Sequence, residues 1–356
     1  MHLKYLSHAR SLHSLEAQIF AKVFAGSATL SDRRERARGY FVVMKISVII
    51  PTYNRPQELK QCIESILRQT VLPEELIVID DGDLPGMPYI DELRKIGVHC
   101  IYRKKKEKGL TRSRNLGVRI SSGEIIFFFD DDVVLERGYI EEMKKVYEGD
   151  FDPHLGGVSG VDLNLPSPTI LSYIEYFYNL LFLISPLRPG RVTKSGFSEQ
   201  ILVDRTFPAR RLTKADVLGG GLSTFRKKVF EDFTFAEDYE HNYCQGEDKD
   251  FSIRVSKRYN LYINPRAKLY HYVSPIERIN KYRRGRDYIL SVYRLFSYVR
   301  RTKLDNLFFF YSLLGNLMKK TVVAVIKNEA DEIERIKGII DAFFTILKEE
   351  LRVLKR

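Results

Sequence analysis

Cysteine is scarce in this chain: Cys62, Cys100 and Cys244 are the only three in 356 residues, far apart and in no metal-ligand spacing. That count argues against a disulfide framework and fits a reducing compartment, with three buried small hydrophobes as the plain reading. Long apolar runs are lacking as well. No continuous apolar stretch followed by a small-residue cleavage site opens the chain, so no secretory signal is expected. No run reaches the roughly twenty apolar residues of a membrane span. Residues 170–187 are interrupted by Glu175, and 307–318 are too few. There is no internal repeat.

Positive charge is lacking where a nucleic-acid binder needs it. The net charge is +12, yet residues 44–276 hold 33 basic and 33 acidic side chains. The excess sits at the ends, +4 over residues 1–43 and +8 over 277–356. Charge confined to the ends describes an attachment surface rather than a groove in the centre. A nucleic-acid binder interleaves aromatics with positive charge on its globular part, so nucleic acid is not an expected partner.

The 44% apolar fraction suits a substantial core, and the length allows one large domain with an appendage. Residues 1–43 are basic, with Arg33, Arg34, Arg36 and Arg38 clustered, and read as a disordered or surface-bound extension. From Met44 strands and helices alternate. Residues 46–50, 76–79, 100–102 and 125–129 have the continuous apolar character of strands buried on both faces. Residues 58–69, 89–96 and 111–121 read as the helices between them. This alternation predicts an α/β domain over 44–275, a Rossmann-like, mostly parallel sheet flanked by helices. Residues 170–187 read as a helix and 186–211, with Pro, Gly, Ser and basic residues, as a mobile loop. Residues 276–356 form a helical C-terminal region, with helices expected at 278–301, 304–327 and 329–356. Their mixture of apolar faces with Lys and Arg is that of helices lying on a membrane.

The chemistry begins where Phe127, Phe128 and Phe129 run into Asp130, Asp131 and Asp132. In open α/β sheets ligands bind outside the carboxyl ends of the strands. Carboxylates this close repel and raise one another's pKa unless a cation neutralises them. Oxygen ligands favour Mg²⁺ or Mn²⁺, commonly held by one or two carboxylates together with substrate phosphates. A solvated acidic turn is the bland alternative, and the strand context outweighs it. The second strand ends likewise in Asp80, Asp81 and Gly82, a second lip able to accept hydrogen bonds from a base N–H or ribose hydroxyls.

Together these segments resemble the GT-A glycosyltransferases, and within them the inverting family 2. The likeness runs through ISVIIPTYNRPQELKQCIESILRQT at 46–70, LIVIDDGD at 76–83, GLTRSRNLGV at 109–118 and GEIIFFFDDDV at 123–133. It resumes with VLGGGLSTFRKKVFEDF at 217–233 and GEDKDFSIRV at 246–255. The resemblance implies a nucleotide-sugar donor, with Pro51, Tyr53 and Asn54 flanking the base, Asp81 contacting it and Asp80 in support. Arg112 and Arg114 would lie near the donor, and Asp130 and Asp132 would be the outer members of a DxD motif that holds ribose and metal, with Asp131 beside them. Gly220 and Gly221 would let the backbone approach the sugar, His271 would be a further metal ligand or diphosphate contact, and Glu247 and Asp248 would stand near the acceptor with Asp248 as general base. An acid at the start of a helix also suits the helix dipole, and the two roles are compatible. One residue departs from the pattern: Asp83 stands where the family has serine.

The implied reaction is inverting transfer of a sugar to a hydroxyl, with a glycan or polyprenyl-linked acceptor at the cytoplasmic face of a membrane. A nucleotidyltransferase of related fold is the competing enzyme. It opens with a glycine-rich phosphate loop after the first strand, whereas this chain has Pro-Thr-Tyr-Asn. Lys104, Lys105, Lys106 and Lys108 read as a solvated basic loop, and the aromatics Tyr173, Tyr176, Phe177 and Tyr178 as core or membrane-facing.

Overall fold

The apolar run that starts at Ile46 continues through Pro51 to form β1 (Ile46–Thr52), buried along its whole length. In the computed structural model the described residues are 44–149, 151–238, 246–273, 280–327 and 330–354. The basic extension at 1–43 and Cys244 lie outside them. β1 pairs in parallel with β2 (Glu75–Asp80) and β4 (Ile125–Phe129), and β2 pairs in parallel with β3 (His99–Lys104). The connections carry α1 (Pro56–Leu67), α2 (Ile90–Lys95) and α3 (Leu110–Ile120). Pro56 opens α1, a position where its missing N–H costs nothing. Helix α3 lies close on β1 because Gly117 has no side chain; a Cβ there would sit 2.5 Å from Ile49 Cγ2.

Beyond β4 the sheet becomes mixed. After β5 (Val133–Leu135), α4 (Tyr139–Glu148) and β6 (Leu155–Asp162), the chain runs through α5 (Ile170–Leu181), α6 (Gln200–Thr206) and β7 (Thr213–Ala215) to β8 (Leu222–Arg226). Then come α7 (Val229–Asp232), α8 (Glu247–Val255) and the long β9 (Asn260–His271). The order is β3-β2-β1-β4-β8-β6-β9-β5, with β7 on β9. Among the described residues β8 is antiparallel to β4 and β6, and β5 and β7 are antiparallel to β9. β6 and β9 pair in parallel. The expected flanked α/β sheet is present, and its mixed half is what periodicity did not reveal. Strand β8, Leu-Ser-Thr-Phe-Arg, is too short and polar to announce itself.

One face of the sheet packs beneath α1 and α4, with Phe127 and Phe129 inside. The other buries an aromatic cluster of Phe128, Phe225, Phe235 and Phe251. Phe235 stacks on Phe251 at 4.2 Å, and Phe128 meets Phe235 edge-on at 5.3 Å. Phe251 thereby fixes α8, the helix that carries Glu247 and Asp248.

The C-terminal helices are α9 (Lys281–Val299), α10 (Asn306–Lys327) and α11 (Ala330–Leu354). They enclose a third core of Ile289, Phe296, Phe309 and Ile339 that also takes in Ile184 and Phe197. The mobile loop expected at 186–211 is therefore replaced by packed chain: Phe197 is fully buried, and Gly196 at φ +83° sits where a Cβ would strike the Phe296 backbone nitrogen at 2.6 Å. Its partners lie about a hundred residues away, beyond any local pattern. Helix α9 is tied to α8 through fully buried Asp250, which accepts from Arg294 Nε at 2.7 Å and the Tyr298 hydroxyl at 3.0 Å. Met44–Arg356 forms one compact unit. The apolar stretch at 307–318 continues past Lys319 and Lys320, so that among the described residues Lys303–Ile326 is long and apolar enough to cross a membrane by length and composition.

Truncating Phe251 to alanine leaves a cavity under α8, and a loss of about 3–5 kcal/mol is expected for such a change. Urea unfolding of F251A measures it; a loss below about 1 kcal/mol would show that the aromatic cluster does not hold this helix.

Candidate active site

Parallel strands β1, β2 and β4 end side by side, and the loops that follow them surround a cleft of about 200 Å³. Pro51, Thr52 and Tyr53 form one wall, Asp81 and Leu110 another, and Asp130, Asp131, Asp132 and His271 the floor, with Arg55 between. The three aspartates, predicted as one cluster, have three different settings. Asp131 is buried, accepting from Thr52 Oγ1 at 2.8 Å and Arg55 Nη1 at 2.9 Å. Burial pushes its carboxyl up to about 6, against the pull of Arg55 and Thr52. Asp132 is held by Arg55 at 2.8 Å on one oxygen and by His271 Nε2 at 3.0 Å on the other. Asp130 is only half-buried and pairs with Arg114 Nη2 at 3.2 Å.

His271 reaches this floor because β9 pairs with β5, which starts directly after the aspartates: Val133 lies opposite His271 in the ladder. Burial alone would lower the imidazole pKa. The hydrogen bond to Asp132 and the charges of Asp130, Asp132 and Asp162 outweigh it and push the value up to about 9. Asp162, at the end of β6, also accepts the His271 backbone N–H at 3.0 Å. The candidate ligand atoms of Asp130, Asp132 and His271 all lie within 4.8 Å of one another. Two carboxylates and an imidazole fit Mg²⁺ or Mn²⁺. The imidazolium proton answers the same negative charge that a divalent ion would, so the three residues suit such an ion.

Asp80 faces away from the cleft and organises the turn behind it, accepting from Gly82 N–H at 2.7 Å, Leu84 N–H at 3.0 Å and the Tyr102 hydroxyl at 2.7 Å. Asn54, at φ +53°, braces that turn by accepting the Asp83 N–H at 3.0 Å rather than lining the cleft. Asp81 does face the cleft, accepting from Gly109 N–H at 2.9 Å and Ser113 Oγ at 2.6 Å, with Lys105 at 3.2 Å. Lys105, expected in a solvated loop, is thus drawn in by a buried acid, while its neighbour Lys104 pairs with exposed Asp83. Tyr53 lies under Lys108, whose Nζ is 4.6 Å from the ring centroid.

Arg112 and Arg114 part company. Arg112 pairs with Glu107 at 2.9 Å and Glu237 at 3.6 Å beside a second, separate pocket. Arg114 is 1% exposed and bridges Asp130 to Glu247, the latter at 3.1 Å. Burial, then the charge of Asp248, pushes Glu247 up to about 7 despite Arg114. Asp248 accepts the Gly220 N–H at 3.0 Å and its neighbour Lys249's N–H at 2.8 Å. The glycines are needed by the protein itself: a Cβ on Gly221 would lie 2.3 Å from Asp130 Oδ2, and one on Gly220 2.8 Å from Arg114 Nη2. Sequence reading missed Thr52, Arg55, Lys105 and Ser113. The signal for Arg55 was available, since three clustered acids call for a cation and Arg55 lies in the motif after β1.

A helix-flanked sheet whose parallel half ends in a carboxylate-floored cleft and whose other half is mixed is the GT-A arrangement. Residues 47–167 match the family model described as glycosyl transferase family 2, and the chain carries a family 2, GT-A glycosyltransferase domain. It is 37% identical to the uncharacterized glycosyltransferase YwdF of Bacillus subtilis over 30% of this chain and 39% of that one. It is 29% identical to the glucosyl-dolichyl phosphate glucuronosyltransferase of Haloferax volcanii over 31% of this chain and 36% of that one. The chain thus spans under two fifths of either relative. The mannosyltransferase PcManGT of Pyrobaculum calidifontis, solved with GDP-Man and Mn²⁺, shares the fold with a TM-score of 0.51 and 15% identity, over 88% of this chain and 92% of that one.

Replacing Arg114 by methionine strands Asp130 and Glu247 beside a buried apolar chain, and a cost of about 3–5 kcal/mol is expected in urea unfolding. An R114M protein of unchanged stability would remove Arg114 from this role. Glu247 gives a pH signature. Its ordinary value is 4.5 and its folded value about 7. Between the two the folded protein keeps a proton that the unfolded chain has released, so this group's contribution to stability falls as pH rises. Glu247→Gln should flatten the decline in unfolding free energy between about pH 5 and about pH 8, and an unaltered decline would refute the assignment.

Proposed function

We propose that this protein transfers a sugar from a nucleotide-diphosphate donor to an acceptor hydroxyl with inversion, using Mg²⁺ or Mn²⁺. The observation that carries the reading is the convergence of Asp130, Asp132 and His271 on one point at the floor of the cleft walled by Pro51, Tyr53 and Asp81. The GT-A domain and a structural relative solved with GDP-Man and Mn²⁺ support it. Asp130, Asp132 and His271 hold the divalent ion, which when bound stabilises the leaving diphosphate. Asp81 meets the base or ribose, fixed in place by Gly109 and Ser113. Arg55 keeps Asp131 and Asp132 together without a ligand present.

The acceptor approaches from α8. Asp248 takes the proton of the attacking hydroxyl, a general-base role worth about 10²–10⁴ in rate. Two backbone N–H groups orient its carboxylate and leave lone pairs for the acceptor. Glu247, turned toward Arg114, positions that arginine against Asp130 rather than acting on the acceptor. The acceptor proposed is a lipid-linked or cell-surface glycan at the cytoplasmic face of a membrane. A relative named for glucosyl-dolichyl phosphate supports that class.

A panel of UDP-, GDP- and dTDP-sugars, assayed for hydrolysis with Mn²⁺ or Mg²⁺, tests the reading. One donor should be consumed, chelation should stop the reaction, and Asp132→Ala should lower it at least about 100-fold. Asp248→Asn should retain donor binding while losing transfer by about 10²–10⁴. Full activity of D132A would remove the site assignment.

A further inference from the structure

Helices α5 and α10 form an antiparallel pair. Tyr178 donates its hydroxyl to the Gly315 carbonyl at 2.8 Å, and Tyr311 donates to the Leu181 carbonyl at 3.1 Å. Phe182 stacks on Tyr311 at 5.1 Å, and Lys319 pairs with Glu175 at 3.1 Å. Close approach depends on Gly315, where a Cβ would lie 2.2 Å from Phe182 Cγ.

Both helices leave an apolar stripe in water. On α5 it is Ile170, Leu171, Ile174, Phe177 and Leu181, with Ile170 77% exposed. On α10 it is Leu307, Leu314, Met318, Val322 and Val325, with Val325 76% exposed, and Leu304 in the turn before the helix continues it. Recurrence every three or four residues puts each set on one side of its helix. Such an area exceeds the scattered apolar residues of an ordinary soluble surface. The charge beside it is mostly positive. Helix α10 contains no acidic residue, and the single acid of α5, Glu175, is paired with Lys319. The antiparallel arrangement brings the end of α5 to the start of α10, and there Lys194, Arg301 and Lys303 are exposed around a single half-buried acid, Asp305. Lys194 lies over Phe308, 5.6 Å from the ring centroid.

We infer that the outer faces of α5 and α10 dock as one unit on an anionic lipid surface, with the basic end against the headgroups. The expectation from sequence placed membrane contact chiefly on the C-terminal helices and left Tyr173, Tyr176, Phe177 and Tyr178 as core or membrane-facing; here half of the face comes from the middle of the chain, while α9 and the inner side of α11 are committed to the third core. The pair lies on the membrane and does not span it. The inner side of α10 buries Phe309, Leu313, Ser312 and Asn316 against the domain, and spanning would strip that packing away. Apolar side chains on one side and Lys and Arg at the margin are what an interfacial helix needs. The inference deepens the lipid-linked acceptor reading and rests on it only for its purpose: α5 begins eight residues after Asp162, the carboxylate that fixes His271.

Flotation of the full chain with vesicles of phosphatidylcholine, alone or mixed with phosphatidylglycerol, tests it. The protein should float with the mixed vesicles, far less with phosphatidylcholine alone, and be released by alkaline extraction. Ile174→Glu with Leu314→Glu should lower the bound fraction at least about tenfold, and Arg301→Gln with Lys303→Gln should weaken binding in a salt-sensitive manner. All four sites are exposed, so circular dichroism should be unchanged. Flotation that survives the glutamate pair would overturn the inference, as would resistance to alkaline extraction. So would a dimer in light scattering that the glutamate pair dissociates without any vesicle binding. Donor hydrolysis measured on the same preparations reports on the transferase reading separately.

Discussion

Three carboxylates at the end of one buried strand cannot share a site unless something positive answers them. The whole centre of this molecule is arranged around that repulsion. Arg55 answers from the loop after β1, Arg114 from α3 and His271 from the last strand, so that four separate pieces of chain are drawn to one place. Each cation takes a different aspartate or a different oxygen. Asp131 and Asp132 share one guanidinium while Asp130 faces another, and the run becomes three distinct groups rather than an acidic patch.

The same need runs outward through the second layer. Arg114 can be buried only because Glu247 meets its other side, and α8 can present Glu247 only because Phe251 is locked among Phe225, Phe230 and Phe235. Asp250 on that helix carries the link on to α9 through Arg294 and Tyr298. Helix α9 in turn helps to close the third core, on whose outer side α10 lies. The proposed metal site, the proposed acceptor side and the candidate membrane face are thereby parts of one packed structure. The glycines at 220 and 221 belong to the same chain of necessity, since the backbone must pass within contact of Asp130 and Arg114.

Much of this was legible in advance, and for a physical reason. Strands of continuous apolar residues and helices with one apolar side are local patterns, so β1 to β4 and α1 to α3 emerged within a few residues of their true ends. The acids were legible because they sit just past such strands. Asp80 stands behind Asp81 in the turn, while Asn54 braces that turn and Arg112 lines another pocket. Less visible was anything whose meaning lay in a distant partner: Phe197 inside a stretch rich in Pro, Gly and Ser, Lys105 in a basic run, or the short polar strand β8.

The sequence by itself determined the alternating half of the sheet, the cleft at its carboxyl edge and the residue types that line it, because hydrophobic periodicity and chain punctuation act between near neighbours. Only the tertiary structure decided how the work is divided there. Which aspartate meets Arg55, which meets Arg114, and that His271 arrives at all depend on β9 returning beside β5, across more than a hundred residues. Only the packed chain, likewise, brings α5 against α10 and leaves their apolar sides facing out, since no local pattern records which side of a helix will find a partner.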